Sequence, residues 1–228
     1  MNEVATLLAR TELFGSLAPG ALDAIAADSH ERRYAKGESL FGEGDAADAF
    51  FVVAEGTVKV FVSSSQGKDM VLATLRTPEG LGEVSLLDGG PRSASAEAVD
   101  PVTVVAIARS TLLGVFQRER SVAEAMLRAS GGLLRRLTGQ AADLVFLDLE
   151  GRVAKLLVGM AGERGQQRDG GSVLELGLTQ TDLASMVGGS RQSVNQILRS
   201  LSGRGLIEVH GQEILIADEA ALRRRGGG

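Results

Sequence analysis

Residues 82–94 read GEVSLLDGGPRSA, and this stretch decides what the chain folds into and what it can hold. Gly82 and the residues after it can present consecutive backbone N–H groups at the start of a short helix. Such an arrangement binds a phosphate through hydrogen bonds and the helix dipole. Glu83 is placed to accept from a sugar hydroxyl. Ten residues after Gly82 comes Arg92, whose planar guanidinium can grip two oxygens of one anion, and the hydroxyl of Ser93 can donate to the same group. Several donors from a few residues converge on one anionic ligand.

Outward from this stretch the pattern is short and β-like. Between residues 31 and 109, runs such as AFFVVAEGTVKVFVSS, DMVLATL and VTVVAIA alternate with turn residues, including Gly37, Gly42, Gly44, Gly56 and Gly67. These spacings predict a small antiparallel roll interrupted by the short helix of residues 82–94. Upstream, VATLLART and LAPGALDAIAAD read as short helices, with Pro19 and Gly20 marking a turn between them. Downstream, Met126, Ser130, Leu133, Leu137, Gln140, Leu144 and Leu147 recur in alternating steps of four and three, the seam of a two-stranded coiled coil. That seam predicts a homodimer, although Gly131, Gly132 and Gly139 each weaken a long helix by about 1 kcal/mol relative to Ala. The loop AGERGQQRDGGS follows, polar and glycine-rich, and is expected to be mobile.

The run LTQTDLASMVGGSRQSVNQILRSLSGRGLIEV carries a second motif. It reads as two helices joined at Gly188 and Gly189, with Thr179 capping the first and Ser190 the second. Leu183, Val187, Val194, Ile197, Leu198 and Leu201 supply a core between them, while Ser190, Arg191, Gln192, Ser193, Asn195 and Gln196 crowd the start of the second helix with donors and acceptors. A polar first turn is what a helix-turn-helix inserts into the major groove of duplex DNA. Arg191 can pair with guanine O6 and N7, and Gln192, Asn195 or Gln196 with adenine N6 and N7. Thr179, Ser190, Ser193 and Arg199 suit phosphates. GLIEV and EILIA, flanking a turn at His210 and Gly211, would form the wing of a winged helix. The terminal RRRGGG reads either as a basic tail touching DNA nonspecifically or as a solvated end.

Composition narrows the chemistry. The chain has 228 residues, net charge −5 and no cysteine, so disulfides, Cys-based zinc sites and cysteine-ligated iron–sulfur clusters are excluded. No metal and no haem is expected, and His30 and His210 lack metal-ligand spacing. No nucleophile–base pair or Walker-type loop points to an enzyme. The negative average hides an asymmetry: residues 151–228 hold ten Arg plus Lys against eight Asp plus Glu, +2, which leaves −7 for residues 1–150. The N-terminus lacks the basic start and apolar core of a signal peptide, and no stretch approaches a membrane span, so a cytoplasmic protein is expected.

The order GEVSLLDGGPRSA, coiled-coil seam, then helix-turn-helix, together with FGEGD and VVAEGTVKV in the roll, resembles the cyclic AMP receptor protein family, the Crp/Fnr superfamily of bacterial transcription regulators. The resemblance spans nearly the whole chain. It implies an α+β fold: a cyclic-nucleotide-binding β-roll domain over residues 1–118, a dimerisation helix and hinge over 119–150, and a winged helix-turn-helix over 151–228. It also implies that Gly82, Glu83, Val84, Arg92 and Ser93 hold the cyclic phosphate and ribose, and that a palindromic DNA site and RNA polymerase are partners. Hydroxyls of the dimer helix touch the base in this family; here the two positions are Leu137 and Thr138, of which only Thr138 carries a hydroxyl. Ser93 rather than Thr after Arg92 favours cyclic AMP over cyclic GMP by resemblance. Family members carry an Arg-Glu pair and a second Arg where this chain has Arg191, Gln192 and Gln196, so a different preferred half-site is expected. Two alternatives stay open: a ligand-independent regulator controlled by abundance or a protein partner, and a sensor module acting on an enzyme.

Overall fold

The computed structural model describes residues 2–168, 171–176, 178–211 and 213–227. It divides into two compact units, residues 1–136 and 137–228.

The first unit opens with helices α1 (Glu3–Ala9) and α2 (Pro19–Ala27). Asn2 caps α1 by accepting from the Ala5 N–H at 2.7 Å. Pro19 is the first residue of α2, where its fixed φ and missing N–H cost nothing, so it starts the helix instead of belonging to a turn before it. Eight strands follow: β1 (Ser29–Tyr34), β2 (Ser39–Phe41), β3 (Ala49–Glu55), β4 (Thr57–Ser63), β5 (Asp69–Arg76), β6 (Gly80–Leu81), β7 (Ser95–Ala98) and β8 (Val102–Ala108). The short helix α3 (Glu83–Asp88) interrupts them after β6, as expected. The strands form two four-stranded sheets of order β1-β8-β3-β6 and β2-β7-β4-β5, with antiparallel pairings throughout.

The AFFVV run of β3 explains how the unit is held. Five consecutive residues of β3 are buried because the strand has apolar neighbours on both faces. Ala49, Phe51 and Val53 point into the roll with Val58, Leu81, Ala96, Val102, Val104 and Ala106. Phe50 and Val52 point the other way, with Val105 and Ile107 of β8, onto Leu8, Phe14, Ile25, Leu112, Val122 and Met126. The period-2 alternation of β3 and β8 therefore joins a sheet core to a helical one. The last three of those residues come from α4 (Arg109–Arg118) and from α5 (Arg120–Phe146), a continuous helix of 27 residues despite its glycines.

Met126 is 2% exposed in this core, which removes it from the expected coiled-coil seam. The apolar residues that α5 leaves open are Leu127 at 70%, Leu134 at 65%, Leu137, Leu144, and at its end Val145 and Phe146. Leu127 and Leu134, like Leu137 and Leu144, are one heptad apart, so the exposed stripe starts one residue later than its periodicity alone indicated.

The second unit contains α6 (Leu149–Arg164), β9 (Gln166–Arg168), β10 (Gly171–Glu175), α7 (Gln180–Val187), α8 (Arg191–Gly203), β11 (Ile207–His210), β12 (Glu213–Ile216) and α9 (Glu219–Arg225). One sheet of order β11-β12-β10-β9 backs the helices. The expected wing strands are β11 and β12. The segment read as a mobile loop is instead the last turn of α6, β9 and the start of β10; Asp169 and Gly170 lie outside the described residues. β10 is ordered by partners distant in sequence: Ser172 to Glu175 pair with Ile216 to Glu213 of β12. The terminal arginines are also structured. They form the last turn of α9, whose Asp218 cap accepts from the Ala221 N–H at 2.9 Å.

Candidate functional site

Between β6 and α3 the chain turns at Gly82, with φ +94°, a left-handed conformation that strains any side chain. The space around it is also taken: a Cβ here would collide with Nη1 of Arg92. Gly82 and Arg92 of the expected cassette are thus in contact across ten positions of sequence. Arg92 is held from the backbone by its own N–H donating to the Asp45 carbonyl at 2.9 Å, while its carbonyl accepts from Gly44 N–H at 2.9 Å. The FGEGD turn therefore positions the arginine.

Arg92 is 2% exposed. Its Nη2 donates to the Ala49 carbonyl at 2.6 Å, and its guanidinium carbon lies 4.2 Å from the ring centre of Phe41 and 5.4 Å from that of Phe51. Nε and Nη1 are buried without any hydrogen-bond partner. Burial lowers the guanidinium pKa, and the negative charges of Asp48, Asp45 and Glu83 oppose that shift. A buried cation with two unmatched donors is costly by itself, at about 1–3 kcal/mol for each unsatisfied group, and an anion is the ligand that relieves it.

Glu83, half-buried, faces the same place. Burial pushes its carboxyl above the ordinary carboxylate value, while its own backbone N–H, Arg136 of α5, the Gly82 N–H and Arg92 pull the other way without cancelling the rise. Arg136 is a contributor that nothing in its local sequence signalled. Val84 is half-buried and Ser93 is exposed beside Arg92. Ser85, buried at 1%, donates to the Pro91 carbonyl at 3.1 Å and closes the turn between α3 and Arg92. Thr138 belongs to the second unit and is exposed.

The second candidate site is built on α7 and α8. Thr179 and Asp182 form a capping box: the Thr179 hydroxyl donates to Asp182 Oδ2 at 2.6 Å and accepts from the Asp182 N–H at 3.1 Å. The Thr179 hydroxyl is thereby engaged in the cap of α7. Gly188 ends α7 at φ +66°. Ser190 caps α8, accepting from the Ser193 N–H at 3.1 Å, and the two hydroxyls lie 2.8 Å apart. Val194, Leu198 and Leu201 bury one face of α8, while Arg191, Gln192, Gln196 and Arg199 are exposed and Asn195 is half-exposed. Leu178, Thr179, Gln180, Thr181, Arg191 and Gly211 contribute to the lining of a groove of about 460 Å³ that joins the starts of both helices to the wing turn.

Arg152 of α6 donates from Nε to the Val187 carbonyl at 2.8 Å and from Nη1 to the Leu147 carbonyl at 2.7 Å. No metal-holding group of three or more His, Cys, Asp or Glu occurs among the described residues, and no described helix is long and apolar enough to cross a membrane.

Comparison with known proteins matches a family model to the region of each site. Residues 31–119 match the model of the cyclic nucleotide-binding domain, and residues 151–225 that of the Crp-like helix-turn-helix domain. A CRP-like cAMP-activated global transcriptional regulator from Mycobacterium tuberculosis is 33% identical over 96% of this chain and 98% of its own length. The cyclic AMP receptor protein of Thermus thermophilus is 32% identical over 92% and 94%. Among solved structures, a CooA mutant from Carboxydothermus hydrogenoformans superposes with TM-score 0.77 at 25% identity, covering 88% of each chain. These relatives are transcription regulators, not enzymes. With both family models matched in order along one chain and relatives a third identical over nearly its whole length, the chain belongs to the Crp/Fnr family of DNA-binding transcription regulators with a cyclic-nucleotide-binding domain.

Proposed function

We propose that the protein is a homodimeric, cytoplasmic regulator whose DNA binding is gated by cyclic AMP. The observation that carries the ligand reading is the pair of unpartnered donors on buried Arg92, set against Gly82. A singly charged cyclic phosphate fits them by charge and by geometry: two guanidinium N–H groups, the N–H groups at the start of α3 and the exposed Ser93 hydroxyl surround one small anion. Glu83 would take the ribose hydroxyl, and Thr138 is the residue proposed for the base. Relatives named as cAMP-activated support the same effector.

The exposed stripe of α5 supports dimerisation, because Leu127 at 70% and Leu134 at 65% are large apolar side chains presented at heptad spacing. In a two-fold dimer the two α8 helices would read half-sites about 34 Å apart on a palindromic duplex, with Arg191, Gln192, Asn195 and Gln196 at base edges and Thr179, Ser190, Ser193 and Arg199 at phosphates. RNA polymerase is the expected protein partner. Gating is a population shift: nucleotide can favour the DNA-competent arrangement only by its difference in affinity for the two states, about 5.5 kcal/mol for a change from 1:99 to 99:1.

The ungated alternative has one observation in its favour, Leu137 where family members place a hydroxyl. Calorimetric titration with cyclic AMP and, in parallel, cyclic GMP tests the gate. Saturable binding of cyclic AMP in preference to cyclic GMP supports it; no binding of either by calorimetry and by an independent fluorescent analogue leaves the ungated regulator.

A further inference from the structure

The first turn of α6 gathers charge from elements far apart in sequence. Glu150 Oε1 accepts from Arg204 Nη2 at 2.7 Å and from Arg225 Nε at 2.8 Å. Arg225 Nη2 reaches Asp148 Oδ2 at 2.5 Å, and Asp148 Oδ1 in turn accepts from the Gly151 N–H at 2.8 Å as the cap of α6. Arg204 is the C-terminal cap residue of α8, the helix proposed to read bases. Arg225 is the last residue of α9. We propose that Arg225 is a positioning residue for DNA recognition: through the carboxylate it shares with Arg204 it fixes the C-terminal end of α8 against α6. The C-terminal helix is then a brace for the reading head and not a DNA-contacting tail.

Three observations favour the brace. Of the three consecutive arginines, Arg223 is paired with Glu219 at 2.9 Å within α9, and Arg225 is bound to two carboxylates. Arg224 alone among them makes no ion pair among the described residues, so little of the basic run is left for a phosphate. Second, the docking is close: a Cβ on Gly226 would lie 3.1 Å from the backbone of Lys155, so α9 ends directly on α6. Third, Arg204 and Arg225 bind the same oxygen of Glu150. Removing either changes what holds the other.

The lever arm makes a modest tether matter. α8 has 13 residues, about 20 Å at 1.5 Å per residue. A tilt of about 5° about its C-terminal end would move its first turn by roughly 1.7 Å, enough to break a bidentate hydrogen bond to a base edge. Partly exposed ion pairs are individually weak, so the expected effect on affinity is roughly three- to tenfold and not larger.

This inference rests on the reading of α8 as the recognition helix, and the test separates the two. Affinities of wild type, Arg225→Ala, Arg225→Lys and Arg191→Ala are measured by fluorescence anisotropy on a selected duplex and on a scrambled one, over a series of salt concentrations. For Arg225→Ala the expected result is a three- to tenfold loss on the selected duplex, no loss on the scrambled one and an unchanged slope of log affinity against log salt, with partial recovery in Arg225→Lys. A slope lowered by about one with equal losses on both duplexes would show a direct phosphate contact and overturn the brace. Unchanged affinity on both would overturn it as well. If Arg191→Ala leaves discrimination intact, the assignment of α8 has failed independently of Arg225. Should Arg225→Ala melt cooperatively only at a much lower temperature, Glu150→Gln, which keeps the shape and removes the shared charge, carries the same expectations.

Discussion

Replacing Arg92 by Met separates a ligand site from a structural post. In the wild type the guanidinium donates once, to the Ala49 carbonyl, and stacks on Phe41, while Nε and Nη1 donate to nothing. Met keeps much of the apolar contact and deletes the cation. Without ligand the lost terms are one hydrogen bond, about 1–3 kcal/mol, and a cation–π contact of about 0.5–2 kcal/mol. The relieved terms are two unmatched buried donors, about 1–3 kcal/mol each, so the ligand-free variant is expected to unfold within about 1–2 kcal/mol of wild type. With cyclic AMP the balance is one-sided. Two charge-assisted hydrogen bonds of about 1.5–3 kcal/mol each are lost, which is about 3–6 kcal/mol, or a 10²- to 10⁴-fold weaker Kd. Calorimetry gives the Kd, and thermal unfolding with and without nucleotide gives the linkage: at a thousand times its Kd a ligand stabilises by about 4 kcal/mol, and Arg92→Met should show almost none of it. Binding within threefold of wild type would refute the assignment. So would a ligand-free variant destabilised by more than about 3 kcal/mol, since Arg92 would then be holding the roll.

Other outcomes follow from named contacts. Gly82→Ala forces a side chain into a left-handed backbone and against Arg92 Nη1; it should lower stability in urea unfolding by about 1–3 kcal/mol and weaken nucleotide binding at the same time. Glu83 has a raised pKa in the folded protein, so the fold holds its proton to higher pH than the unfolded chain, whose value is near 4.5. Its contribution is complete below that value and is lost as pH rises through the folded one. The stability of wild type relative to Glu83→Gln should therefore fall across that window, and parallel urea titrations at several pH values would expose a flat difference if the shift were absent. Leu134→Glu places a charge on the exposed stripe of α5 and should turn a dimer into a monomer by analytical ultracentrifugation, with little change in the melting of each unit.

How far the chain could be read without coordinates depended on whether each feature was local. The cassette, the helix-turn-helix and the wing depend on glycines, caps and short-range periodicity, and they lie where those signals put them: Gly82 and Gly188 at positive φ, Ser190 and Thr179 as caps, β11 and β12 around Gly211. What went unread was set by distant partners. β10 begins at the end of a polar, glycine-rich run and becomes a strand because β12, some forty residues on, offers it an edge. The terminal arginines form a helix end because Asp148 and Glu150 wait beside it. Met126 fits the seam by spacing, yet α5 has two apolar faces at its start, and only packing against α1, α2 and the sheet decides which residues remain open.

The claim that joins the two units is that nucleotide controls DNA affinity. The direct measurement is the Kd of the purified protein for a duplex obtained by selection from a random library, taken at fixed salt with and without saturating cyclic AMP, in wild type and in Arg92→Met. A clear gain in affinity with nucleotide, absent in Arg92→Met, is the expected result. Equal affinity with and without nucleotide, in a protein shown to bind it, would mean that the pocket does not gate the helix-turn-helix.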